Sequence, residues 1–331
     1  MFRSFIFFII ILLFSACGTK RQYFEPEKID ARLSYDSRLR SSIKFSNDDF
    51  SVLNNGQILD KNGLVENFIL EKNFRILKHE YSEFVIADDF GNLKIIDENA
   101  DEIYSHKFDA AVLSVALNGD DLAMVLADNS IVLVNRSLGI KFLQTLAPAP
   151  AQDIRVASPI FLTNIIVFPS LDGKLNVLDL ATLKIVRSVV ISNDEFFNNI
   201  IYLKITHNKM IAASPNRIVV VDDMQHFSLI EEIRTVFVYD ENIFIFAKNG
   251  NIIKTDFKLN KLLEKKFKFA VYNEIDIFNG HLYMFEKTGY LIKSDLNLEN
   301  IKVYRLSGAV GEDTFMQNGK FYYSNKILNL L

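Results

Sequence analysis

From about residue 50 onward, short apolar runs alternate with turn residues, and one unit recurs along the chain. An apolar stretch meets a Gly, Asn or Asp turn, and a second, alternating stretch follows that ends at Asp or Asn. Copies lie at residues 55–60, 91–97, 129–135, 172–179, 216–222, 249–256, 288–295 and 325–329. Their last residues are Asp60, Asp97, Asn135, Asp179, Asp222, Asp256, Asp295 and Asn329, spaced 34 to 44 residues apart. A four-stranded propeller blade takes about 40 residues. The Asn-Gly and Asp-Gly pairs provide the positive φ that tight hairpins need. Flanking strands are visible around the best copies, at 155–163 and 184–191 in the fourth and at 235–239 and 262–267 in the sixth. No stretch shows a capped helical period.

The pattern predicts an all-β fold, a single β-propeller of eight four-stranded blades over residues 30–331. Seven blades is the alternative if the weak first or last copy is not a blade. Two stacked β-sandwiches would not carry one period along most of the chain. The eighth copy leaves no room for an outer strand, whereas residues 31–35 offer a strand to spare. This N-terminal strand is expected to pair with the last blade and close the ring, which removes exposed sheet edges.

The start of the chain follows another rule. Residues 1–16 begin with a short basic segment, run apolar from Phe5 to Phe14, and end in Ser15-Ala16 before Cys17. The apolar run is shorter than the roughly 20 residues that a membrane-spanning helix needs and has the form of a secretory signal. Small residues before a Cys look like a bacterial lipobox, although Phe14 stands where Leu is usual. The expectation is a signal peptide at 1–16, lipidation at Cys17 with thioether-linked diacylglycerol and an N-acyl chain such as palmitate, and a polar tether over 17–29. Several chains anchor stably where one does not. Gly18 rather than Asp after the Cys resembles lipoproteins sent on to the outer membrane.

Composition narrows the chemistry. The chain has 331 residues, one Cys, no Trp, 29 Phe and a net charge of −4. A single Cys forms no intramolecular disulfide and no Cys-cluster zinc site. The charge balance disfavours nucleic acid as a partner. His79, His106, His207, His226 and His281 are not at metal-ligand spacing, and neither phosphate-binding glycine motifs nor a Gly-x-Ser-x-Gly elbow occurs. The repeated Asp residues recur once per unit at the end of the same strand, which is the signature of turn capping rather than of catalysis or calcium binding.

The fourth copy, residues 172–184, resembles the quinoprotein-type propeller repeat, with Leu183 in place of Gly and Arg187 where that repeat has Trp. The third copy keeps Asn135-Arg136-Ser137-Leu138-Gly139. A lipidated propeller of this repeat type is similar to the BamB-like outer-membrane protein assembly lipoproteins. Residues 152–159 align with the family segment that contacts the barrel subunit: Ile154, Arg155 and Ser158 match, while Gln152 and Val156 replace Leu and Gly. The resemblance implies a non-enzymatic scaffold, without cofactor or metal, lipid-anchored in the outer membrane and facing the periplasm. It would be monomeric within a complex, its partners being the barrel-assembly machinery and unfolded outer-membrane proteins. Pro148, Pro150 and Pro159 around this segment make it a stiff connector on a rigid scaffold, where binding tends to reside. The alternatives are a periplasmic propeller that binds a small ligand or saccharide, and a divergent quinoprotein-like enzyme. The lack of any Trp to stack on a quinone speaks against the enzyme.

Overall fold

A computed structural model describes residues 22–47, 49–149, 155–194, 196–223, 225–307 and 313–330. Cys17, Ile154 and Gln152 lie outside them. The described residues form thirty-three strands and no helix. Each of the eight sheets is one blade, built on an antiparallel meander of consecutive strands. The fourth blade, for example, is built from Ile160–Phe161, Ile165–Pro169, Lys174–Asp179 and Lys184–Val190, and the sixth from Ile233–Tyr239, Asn242–Ala247, Asn251–Thr255 and Lys261–Lys266. First strands meet first strands of neighbouring blades around the axis. The first blade, which begins at Ile43–Ser46, touches the eighth, which begins at Thr314–Gln317. The ring of eight is therefore closed.

Burial explains the sequence pattern. Middle strands sit between two neighbouring blades and are apolar on both faces, as in Ile131 to Val134 and Ile243 to Ala247. Outer strands face water on one side and alternate, as in Lys184–Val190. Each inter-blade space holds its own apolar cluster, and Phe and Tyr fill most of them.

The closure differs in one element from the sequence expectation. Ala31–Leu33 does not complete the last blade. It pairs in parallel with Lys302–Leu306 as a fifth strand on the seventh blade. The strand that completes the eighth blade is Ser37–Arg38, antiparallel to Lys326–Asn329. Asp36 secures it: its Oδ2 accepts the Asn329 amide at 2.7 Å and the Asn329 side chain at 3.1 Å. A bend at Asp36 lets one short segment serve two blades. Upstream, Phe24 is buried between the sixth and seventh blades, edge-on to Tyr290 at 5.5 Å and to Phe267 at 6.1 Å.

The repeated carboxylates are turn caps. Asp97 accepts the amides of Asn99 and Asp101, both at 2.9 Å. Asp256 accepts Lys258 at 2.8 Å and Asn260 at 2.9 Å, and Asp295 accepts Asn297 at 3.0 Å and Glu299 at 2.8 Å. Asp179 accepts Thr182, and Asp60 accepts Asn62, each at 2.7 Å. Asp222 departs from the series: its hairpin is tight, and it binds Lys209 Nζ at 2.7 Å across the strand pair.

Candidate functional site

The first strands of the fifth to eighth blades enclose a cavity of about 370 Å³ on the inner wall of the ring. Its charged lining is Lys204 from Tyr202–Thr206 and Glu274 and Asp276 from Tyr272–Phe278. Alternation explains the pair: Glu274 and Asp276 are two apart in a strand and share a face, while Ile275 and Ile277 pack on the apolar cluster of the sixth and seventh blades. Glu274 Oε1 accepts the Thr314 hydroxyl at 3.4 Å. Asp276 accepts the Ile277 amide at 2.8 Å and the Gly319 amide. Burial nevertheless pushes the Asp276 carboxyl above the ordinary carboxylate range. Lys204 Nζ donates to the Val238 carbonyl at 3.4 Å. Among the described residues, no group of three or more His, Cys, Asp and Glu side chains stands together as a metal site would require.

Arg155 lies near this inner wall. It is exposed, while Ser158 is half-buried. Three fixed bonds hold the backbone between them. Asn199 Nδ2 donates to the Arg155 carbonyl at 2.6 Å, the Ala157 amide donates to the Ile200 carbonyl at 2.8 Å, and Ser114 Oγ donates to the Ala157 carbonyl at 3.0 Å. The segment is thereby strapped to the third and fifth blades as it enters the fourth. Arg234 stands within electrostatic reach of Arg155. Its guanidinium donates to the Tyr272 carbonyl and, at 2.6 Å, to Asn273 Oδ1. Burial, and then the charge of Arg155, hold Arg234 below the ordinary guanidinium value, with Glu274 opposing. The structure thus brings Arg155 together with Arg234 and Glu274, a grouping the sequence analysis does not flag. The local signal lies in residues 272–278, where Glu274 and Asp276 stand at alternate positions between Ile275, Ile277 and Phe278.

No protein-family model matches the chain. Two curated relatives do. The chain is 30% identical over 322 residues to plasminogen-binding protein PgbB of Helicobacter pylori strain J99, covering 83% of this chain and 59% of that protein. It is 29% identical over 305 residues to PgbB of strain 26695, covering 78% and 56%. The chain therefore spans less than two thirds of the length of these relatives. Among solved structures, BamB from Moraxella catarrhalis superposes with a TM-score of 0.68 at 14% identity, over 87% of this chain and 94% of that one. The C-terminal WD40 domain of Sif2 does so with a TM-score of 0.68 at 12% identity, over 92% and 100%. The computationally designed Ika8 protein gives 0.64 at 14%, over 90% and 99%. At such identities the likeness is one of fold: the chain is a β-propeller, a scaffold class that hosts many functions.

Proposed function

We propose that the chain is a non-enzymatic, protein-binding propeller of the bacterial envelope, anchored through lipid at Cys17 in the outer membrane and facing the periplasm. Its partner is the barrel-assembly machinery, and it aids the insertion of outer-membrane β-barrel proteins. The observation that carries this reading is Arg155: an exposed arginine on a backbone strapped between three blades, in the segment that resembles the partner-binding stretch of BamB-like lipoproteins. An Arg on a rigid support is a common interface anchor. Pull-down from detergent-solubilised envelope tests it. Recovery of the barrel subunit by wild type and its loss with Arg155→Glu is the expected result. Failure to recover that subunit, or equal recovery by Arg155→Glu, overturns it. Labelling with radioactive palmitate, expected for wild type and lost in Cys17→Ala, tests the anchor.

A second reading has its own support, the identity to PgbB across most of this chain. On that reading the propeller binds a host protein such as plasminogen at the cell surface. Binding of plasminogen to intact cells, abolished by surface proteolysis, favours it over the first.

A further inference from the structure

The cleft between the fourth and fifth blades is built unlike the others. Its cluster of buried residues contains Val, Leu, Ile and Ala, flanked by Ile165, Leu203, Ile205 and Met210, and no aromatic ring. Every other inter-blade cluster among the described residues includes at least one Phe or Tyr. The cause lies partly in one loop. In the fourth, sixth and seventh blades the loop from third to fourth strand is long enough to drop apolar side chains into the cleft with the preceding blade: Leu180 and Leu183, Phe257 and Leu259, Leu296 and Leu298. In the fifth blade Asp222 already pairs with Gln225, so the hairpin is two residues long, and Asp223 borders the cleft instead. What remains is an apolar cavity of about 620 Å³, open to solvent and walled by residues such as Val167, Val177, Ile205 and Met210. Exposed Val186 and Leu162 form its lip, at 60% and 38% of their full accessibility. Open apolar cavities of this size are typical of ligand sites.

The chain itself shows what fits such a cleft. Its own extended N-terminal segment drops Phe24 between the sixth and seventh blades and then runs as a strand, Ala31–Leu33, along an outer edge. That plug sits on the face that carries the outer-to-inner connections. The unfilled cleft opens on the opposite face, among turns joining first to second and third to fourth strands. Arg187, on the outer strand beside Val186, borders it and supplies a cation at the lip.

We propose that the cleft between the fourth and fifth blades is a docking site for an extended segment of a partner protein that inserts one or two large apolar side chains, Phe or Leu, beside an acidic residue that meets Arg187. This site is separate from the Arg155 surface and does not depend on the partner proposed for it.

The test uses the whole chain held on lipid nanodiscs, so that no free detergent competes for the cleft. The probe is a fluorescein-labelled peptide, Thr-Phe-Thr-Leu-Asp-Thr, and the control replaces its Phe and Leu with Ser. Fluorescence anisotropy should show the apolar peptide bound at least about tenfold more tightly than the control. Ile205→Phe, which fills the cavity, should weaken binding by about tenfold or more while leaving Tm unchanged or raised. Should that variant misfold, Val186→Glu on the exposed lip should weaken binding instead, and Arg187→Glu should do so by several fold. Equal binding of the two peptides, or wild-type binding by a folded Ile205→Phe, overturns the proposal. Arg155→Glu should leave peptide binding intact, so failure here and failure of the barrel-assembly reading are told apart.

Discussion

Asn129 of the third blade accepts a hydrogen bond from the backbone amide of Leu171 in the fourth at 2.8 Å, and it is 1% exposed. Its Nδ2 donates to the Ala147 carbonyl at 2.8 Å and to Asp172 Oδ1 at 3.3 Å, so one side chain ties a turn of one blade to a turn of the next. Its φ of 63° is one that Asn tolerates better than most residues. Asn129→Ala strands the buried Leu171 amide and removes the bonds to the Ala147 carbonyl and to Asp172. The expected cost is about 2–3 kcal/mol, read as a fall of several degrees in Tm. Asn129→Asp should keep the acceptor yet lose both donated bonds, and it should bring a carboxylate up against Asp172. A Tm no lower than that of wild type for either variant would contradict this role.

Gly173 and Gly139 share almost the same backbone, with φ of 86° and 83°. They differ in surroundings. A Cβ on Gly173 would run into the Ser192 carbonyl oxygen, whereas one on Gly139 would meet nothing within 4 Å. The glycine carbonyl also receives the Ile191 amide at 2.9 Å, which docks the end of the outer strand. Gly139→Ala should cost only the left-handed conformation, about 1 kcal/mol. Gly173→Ala adds a backbone clash and should cost about 2 kcal/mol more. Urea unfolding of the two variants isolates the contact from the φ effect.

His79 lies flat on Phe84, with ring centres 4.1 Å apart, and Phe84 lies on Phe68 at 4.0 Å. The imidazole Nδ1 is 3.3 Å from Asp60 Oδ2. Burial nevertheless holds the His79 pKa below 6.5, outweighing the attraction of Asp60, with Lys61 adding to the lowering. The unfolded chain therefore takes up a proton near 6.5 and the folded one only at lower pH. Stability from this group is complete above 6.5 and is lost as pH falls through 6.5 toward the folded value. His79→Phe should flatten the dependence of Tm on pH between 7 and 5. An unchanged slope would show that this stack does not govern it. At lower pH a second loss is expected as the capping carboxylates of Asp97, Asp179, Asp256 and Asp295 protonate, because hydrogen bonds hold each below 3.8.

The blades were legible in the sequence because the turn caps are local. Asp97 and Asp295 satisfy amides two and four residues downstream, so chemistry and spacing appear together in one short window. The inner-wall group was legible only in part. The alternating carboxylates Glu274 and Asp276 mark their own strand, but Arg234 and Arg155 reach them only because blades meet at the axis, and nothing local points to either arginine. The open cleft was illegible for the same reason: the absence of an aromatic ring matters only once the neighbouring blade is known. Ser37–Arg38 leaves no mark in the sequence because two residues carry no alternation, while Ala31–Leu33 beside it has a stronger strand composition.

The division of the N-terminal segment between two blades yields a direct test of how the ring is closed. Removing residues 22–34 takes away Phe24 and the fifth strand of the seventh blade but leaves Asp36, Ser37 and Arg38 on the eighth. The loss of buried Phe24 alone should cost about 3–5 kcal/mol, yet the ring should stay closed and the protein monomeric. Extending the deletion to residue 40 also removes the partner of Lys326–Asn329, with its bonds from Asp36 and from Leu39 to the Asn325 carbonyl. That exposes an unpaired strand edge and leaves the eighth blade with three strands, and open edges pair with other chains. Size-exclusion chromatography should therefore show dimers or larger species for the longer deletion only, and limited proteolysis should cut first within residues 314–330. If the shorter deletion already opened the ring, closure would rest on Ala31–Leu33 after all.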